Sequence, residues 1–242
     1  MISSLENEKI KKLVKLQMKK YRDLYKEYII EGEHLIGEAL KVGSVIEVFV
    51  VEGYEYNVDC PITIVSRNVM KKISTMDTPS NVIALCKKII NKNIGKKILL
   101  LDEVQDPGNL GTIIRSSVAI NIDTIILSEN TVDLYNPKVL RATQGMYNFI
   151  NIFSMDSKSA IEEIKNKNIK VYGTNVVNGI DVKSLSDDEK NSFCLIVGNE
   201  GNGVREEILE LCDKNLYIKM NDNVESLNVG VACSILLYEL GE

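Results

Sequence analysis

In the second half of the chain, three polar constellations each follow an apolar run: NLGTIIR (109–115), GNEGNG (198–203) and SLN (226–228). Their side chains suit anion and hydroxyl chemistry. Arg115 carries a fixed positive fork for phosphate or a developing oxyanion, and Asn109, Glu200, Ser226 and Asn228 supply hydrogen-bond donors and acceptors. The middle stretch, IVGNEGNGV, has the outline of a phosphate cradle, a glycine-rich turn between a buried strand and a helix. Glu200 argues against that use, because a carboxylate in the cradle repels phosphate, and the spacing fits neither GxGxxG nor GxxxxGK[ST]. The one histidine, His34, lies far upstream, which excludes a histidine base from this half of the chain. The five cysteines, Cys60, Cys86, Cys194, Cys212 and Cys233, are scattered and form no CxxC, so neither a disulfide framework nor a metal site is expected.

Short β-branched runs alternate with amphipathic helices from residue 98 onward: KILLLDEV, NLGTIIRSSVAI, DTIILS, NPKVLRAT, FINIF, SAIEEIKNKN, IKVYGTNV, FCLIVG, GVREEILELC, NLYIKM and NVGVACSILLYEL. This rhythm predicts an α/β fold with a mainly parallel, doubly wound sheet, whose ligands bind beyond the carboxyl ends of the strands. The loops at NLGTIIR, YGTNV, VGNEGNG and MNDNVESLN therefore hold the site. In DPGNLGTIIR, Asn109 occupies an expected N-cap position, and Arg115 projects between the small residues Gly111 and Ala119. Ser226 or Asn228 is expected to cap the last helix, which is apolar on nearly all sides. Upstream, a helical stretch over residues 3–20, the helix EGEHLIGEAL and the strands IEVFVVE, PITIV and NVIALCKK predict a small α/β domain over 1–90. The polar NKNIGKK (91–97) reads as a linker and 98–242 as the second domain.

Net charge is −5, but it is unevenly spread. Residues 1–97 hold 17 Lys+Arg against 12 Asp+Glu, and the remainder 12 against 22. Lys9, Lys11, Lys12, Lys15, Lys19, Lys20, Arg22 and Lys26 crowd into 18 residues beside Asp23 alone. A basic front on an acidic body suits a protein that docks a polyanion with one domain and does chemistry with the other. No run approaches the ~18 apolar residues of a membrane span, and the charged N-terminus is unlike a signal peptide, so a cytoplasmic protein is expected.

The patterns N-x-G-x-x-x-R, G-N-E-G-x-G and S-L-N-V, in this order near the C-terminus, closely resemble the three motifs of the SpoU/TrmH family of RNA 2′-O-ribose methyltransferases, part of the SPOUT superfamily. The likeness spans nearly the whole chain. YNPKVLRATQG resembles the family's segment between the first two motifs. YIIEGEHLIGEAL with STMDTPSNVIALCKK resembles the ribosomal-protein-like RNA substrate-binding domain of many members. Two departures, TQG before Gly145 in place of a small-residue pair and Gly230 where serine is more usual, leave the reaction class intact.

The resemblance implies a SPOUT-type sheet with a trefoil knot, a homodimer, and S-adenosylmethionine gripped by Gly198, Ile218 and Leu227 with Thr174 and Asn175 nearby. It implies a catalytic set of Arg115, Asn109, Glu200, Ser226 and Asn228, with Arg115 as the base. The ordinary arginine pKa above ~12 favours instead a charged anchor for phosphate and alkoxide. The N-terminal domain implies rRNA, most of all large-subunit (23S) rRNA, as substrate. A tRNA substrate and a non-catalytic RNA-binding protein on the same fold are the alternatives. A dinucleotide-dependent or phosphotransfer enzyme is disfavoured, because DPGNLGT lacks the glycine fingerprint.

Overall fold

The computed structural model describes residues 1–90, 92–175 and 179–241. These fall into two units, Met1–Ile89 with Asp133–Asn148 and Ile90–Val132 with Phe149–Glu242. Asn91, the first residue of the expected linker, and residues 176–178 and 242 of the expected second domain lie outside the described residues.

The first unit contains α1 (Glu8–Lys15), α2 (Lys19–Tyr25), β1 (Glu27–Glu31), α3 (Glu33–Lys41), β2 (Val45–Val51), β3 (Ile62–Val65), α4 (Arg67–Ile73) and β4 (Val82–Lys87). Its sheet has the order β1-β4-β2-β3, with β2 and β3 parallel and the other pairs antiparallel. Ile10, Leu13, Phe49, Val69 and Ile83 are among the residues of its core. The helix expected over 3–20 is two helices. Asn7 caps α1 by accepting from Lys9 N, and α1 stops because Arg22 donates to the Leu16 and Gln17 carbonyls at 2.9 and 2.8 Å. The guanidinium supplies the partners that continued helix would have given those carbonyls. Its Nη2 meets Asp133 Oδ2 at 2.6 Å, so Arg22, at 5% exposure, belongs to the interior and not to the basic stripe. Tyr28 also meets Tyr135 and Tyr147 ring to ring, and Arg141 donates to Thr75 at 3.3 Å. These contacts tie residues 133–148 to a unit otherwise built from the first 89 residues.

The second unit carries β5 (Lys97–Asp102), α5 (Pro107–Ala119), β6 (Thr124–Leu127), β7 (Asn151–Ser154), α7 (Ser157–Asn166), β8 (Lys170–Thr174), β9 (Ile180–Asp181), α8 (Asp187–Asn191), β10 (Phe193–Gly198), α9 (Glu206–Leu209), β11 (Lys214–Tyr217) and α10 (Val229–Gly241); α6 (Pro137–Ala142) lies in the first unit. Seven strands form one sheet in the order β7-β6-β5-β10-β8-β11-β9, and every pair is parallel. β5 and β10 are buried on both faces apart from Lys97, as their unbroken apolar runs require of central parallel strands. The α/β class and parallel sheet expected from the sequence are present. The expected helix GVREEILELC shrinks to the single turn of α9, whereas β9 and α8 carry no periodic signal long enough to read.

Candidate functional site

The central strands β5, β10, β8 and β11 lie side by side; of the ten residues singled out above, Thr174 and Gly198 end β8 and β10, Asn109 and Arg115 lie on α5, and the other six lie in the loops that follow β8, β10 and β11. At the end of β5, Asp106 caps α5 through its Oδ1, which accepts from Asn109 N at 2.8 Å, and Pro107 takes the first helical position. The expected cap at Asn109 is thus corrected. Asp106 precedes a proline whose missing N–H costs nothing there, which moves the helix start back one turn and frees the Asn109 side chain.

That side chain joins the three motifs. Asn109 Nδ2 donates to Glu200 Oε1 at 3.0 Å, and its Oδ1 accepts from Asn228 Nδ2 at 2.8 Å. Glu200 also accepts from the backbone N–H groups of Gln105 and Asp106 at 3.1 and 2.9 Å. Partial burial pushes the Glu200 carboxyl upward, but these donors, led by the Asn109 amide, outweigh it and hold its pKa below the usual glutamate range. Glu200 is therefore an anchored anion that binds the loop before α5. Asn228 Oδ1 accepts from Gly230 N and Val231 N at 2.9 and 3.3 Å, so Asn228 rather than Ser226 satisfies the start of α10. Ser226 is exposed.

Backbone proximity explains the glycines of the second motif. A Cβ on Gly198 would lie 2.0 Å from Gly203 C and 2.1 Å from Val204 N, because the chain doubles back over it. The turn is held by Asn199, whose Oδ1 accepts from Gly201 N at 2.9 Å and whose Nδ2 donates to Glu103 O at 3.0 Å. Gly203 sits at φ +70°, a conformation that glycine adopts without penalty.

Arg115 is exposed on α5 and has no ion pair among the described residues. Across the helix, Ser116 Oγ meets Ser234 Oγ of α10 at 2.7 Å, fixing the two helices against each other. Beside them opens a shallow cleft of about 60 Å³, walled by Leu216, Ile218, Met220, Leu227 and Leu236 with Thr174 and Asn175 at its polar end. Four of the five residues named for cofactor binding line it; Gly198 is not among its lining residues. An apolar slot with a few convergent polar groups fits the adenine and alkyl parts of S-adenosylmethionine.

Sequence reasoning missed Asp102 and Arg205. Asp102 ends β5 fully buried, and its carboxylate takes Arg205 Nη2 at 2.6 Å, Arg205 N at 3.2 Å and Ser157 Oγ at 2.9 Å. Burial raises its pKa, but the Arg205 bonds more than reverse this and leave it lowered. The signal in the sequence is an aspartate closing an otherwise apolar strand, ILLLD. The pair clamps the base of the 199–204 loop to β5. Because its folded pKa is depressed, Asp102 stabilises the fold above its unfolded pKa of ~3.9, and that contribution disappears as pH falls through the folded value. Arg205→Met strands the buried carboxylate and should cost about 3–5 kcal/mol at pH 7. In that variant the Asp102 pKa rises, so the deficit relative to wild type should shrink as pH falls. Denaturant unfolding at neutral and mildly acidic pH measures this; a deficit independent of pH would contradict it.

The parallel sheet joins three polar motifs through one asparagine, and the third of them also reaches the apolar cleft through Leu227. The SpoU rRNA Methylase family model matches residues 96–238, and the MRM3-like substrate binding domain matches residues 7–84. The chain belongs to the SpoU rRNA methylase family. It is 38% identical over 247 residues, 99% of this chain and 98% of the other, to the 23S rRNA (guanosine(2553)-2′-O)-methyltransferase RlmP of Bacillus subtilis. The AdoMet-bound rRNA methyltransferase of Sinorhizobium meliloti is 25% identical with a TM-score of 0.86, over 99% of this chain and 96% of that one. The SpoU methyltransferase AviRb of Streptomyces viridochromogenes shares the fold at a TM-score of 0.88 and 21% identity, over 98% and 97%.

Proposed function

We propose that this protein methylates a ribose 2′-hydroxyl of 23S rRNA, at the guanosine equivalent to the one for which the Bacillus subtilis relative is named, with S-adenosylmethionine as donor. The observation that carries the reading is the hydrogen-bonded chain Glu200–Asn109–Asn228, which joins all three motif loops beside the apolar cleft. When bound, S-adenosylmethionine supplies an electrophilic methyl whose C–S bond breaks, with its electron pair left on sulfur, as the ribose oxygen takes it. Thr174, Asn175, Ile218 and Leu227 hold it, while Gly198 lets the second loop close over the strand end. The protein's main contribution is then to align two bound partners. Glu200 is already an acceptor for three donors and serves as scaffold. Arg115, with its fork open to solvent, binds an RNA phosphate and the negative charge growing on the 2′-oxygen, whose proton passes to water. Ser226, at the mouth of the third loop, hydrogen-bonds the ribose.

Supporting a homodimer, Val231, Ile235 and Tyr238 expose 46%, 37% and 58% of their surface along one side of α10. Light scattering should give twice the chain mass, and a monomer at micromolar concentration would refute it. No helix among the described residues is long and apolar enough to cross a membrane, which is compatible with work on RNA in the cytoplasm.

In the basic stripe, Lys9 pairs with Glu47, Lys11 with Glu6 and Glu8, and Lys12 with Glu27. Lys15 and Lys20 instead lie over the Tyr21 ring, at 5.7 and 4.8 Å. Lys15, Lys19, Lys20 and Lys26 have no ion pair among the described residues, and Lys15, Lys19 and Lys20, grouped around the start of α2, are the docking cations. Reversing all three to glutamate should weaken RNA binding and lower its salt slope by about one per phosphate contact, leaving cofactor affinity unchanged. The function itself is tested by transfer of labelled methyl from S-adenosylmethionine to 23S rRNA and tRNA transcripts. Label is expected on the 23S transcript, and transfer to tRNA alone would overturn the choice of substrate.

A further inference from the structure

In the first unit a second cleft, of about 410 Å³, is lined by Glu52, Gly53, Tyr54, Arg67, Lys71 and Asn81, among others. It lies beyond the carboxyl ends of the parallel strands β2 and β3. β2 runs into Glu52 and a turn with Gly53 at φ +82°, and β3 runs through Ser66, which caps α4, into Arg67. Carboxyl ends of parallel strands are where open sheets present ligand sites.

The side chains here divide into three kinds. Arg67 and Lys71 stand one turn apart on α4, both exposed, and neither has an ion pair among the described residues. Tyr54 is fixed: its hydroxyl donates to the Glu33 carboxylate, and its ring packs against the core cluster that includes Val51 and Met70. Glu52 lines the cleft and, among the described residues, accepts one long bond, from Arg67 N at 3.4 Å, which leaves most of its acceptor capacity unused. A bare anion placed here meets the Glu52 carboxylate, and a neutral base alone leaves the two cations unanswered. A nucleotide answers both.

We propose that this cleft takes an unpaired guanine nucleotide of the RNA substrate, with the base stacked on Tyr54, its Watson–Crick edge on Glu52, and its phosphate on Arg67 and Lys71. Guanine is the base the carboxylate selects. Its N1–H and N2–H donors lie side by side and match both carboxylate oxygens, whereas adenine, cytosine and uracil offer no such pair of donors. Single-stranded bases splayed from RNA are recognised by this combination of stacking and edge contacts. The inference rests on the reading of the chain as an RNA methyltransferase and adds a specificity site remote from the reacting ribose.

The test is fluorescence anisotropy of the full chain with labelled single-stranded UG and UA repeats. Wild type should bind the UG repeat about tenfold tighter, the size expected of one bidentate base contact. Glu52→Gln places an amide N–H against a guanine donor and should abolish that preference. Arg67→Ala and Lys71→Ala should weaken both RNAs and each flatten the salt slope by about one. Equal affinity of wild type for the two repeats, or a preference surviving in Glu52→Gln, overturns the proposal. Methyl transfer to 23S rRNA run alongside separates the two claims: wild-type transfer together with such a result refutes the cleft alone, and no transfer to any RNA refutes the function.

Discussion

Arg115→Ala leaves the fold intact and nearly abolishes methyl transfer. The side chain is exposed and without an ion pair among the described residues, so its loss should change stability by no more than roughly 1 kcal/mol. Removing one preorganised donor to a developing oxyanion costs about 10²–10³ in rate, and Arg115 is proposed to hold the RNA phosphate as well. Arg115→Lys separates the two roles an arginine could play. Lysine keeps the charge but loses the fork that binds phosphate and alkoxide together. If the group acts as a base, the lysine variant regains rate as pH climbs toward ~10.4; if it acts as a charged anchor, as argued here, the variant stays inactive across the range. Single-turnover methyl transfer against pH distinguishes them, and wild-type activity in Arg115→Ala would remove Arg115 from the site.

Gly198→Ala should be the most damaging single methyl group in the protein. Its new carbon would sit 2.0–2.2 Å from the backbone of Gly203 and Val204, which cannot yield as a flexible side chain does. The 199–204 loop must lift, carrying with it Glu200 and its bonds to the start of α5. We expect a loss of about 3 kcal/mol or more in stability and no measurable S-adenosylmethionine binding by calorimetry. Gly201→Ala is the matched control. Its Cβ would find Asn199 Oδ1 at 3.5 Å, an ordinary contact, and its φ is not positive, so stability should change by less than about 0.5 kcal/mol. Equal effects of the two substitutions would contradict the backbone argument.

The sheet was legible because short apolar runs such as ILLL, TIIL and CLIV alternate with amphipathic helices, the pattern of central parallel strands. The site was legible as three motifs, and the structure adds what joins them: one asparagine side chain spanning 91 residues to Glu200 and 119 to Asn228. Such links carry no local signal. The same holds for Arg22, which ends α1 and binds Asp133 across 111 residues, and for Arg205, which meets Asp102 across 103. A sequence pattern shows that a helix is amphipathic, but not that a distant guanidinium will accept the task of ending it. The misplaced cap at Asn109 is different, since Asp106 before Pro107 is a readable helix start, while Pro107-Gly108 equally suits a turn ahead of a later start.

The most direct measurement is a map of 2′-O-methyl groups in total RNA from cells with and without the gene. The account predicts that one methylated guanosine in 23S rRNA disappears on deletion and returns with the wild-type gene but not with Arg115→Ala. An unchanged 23S rRNA, with the lost methyl found in tRNA or nowhere, would contradict it.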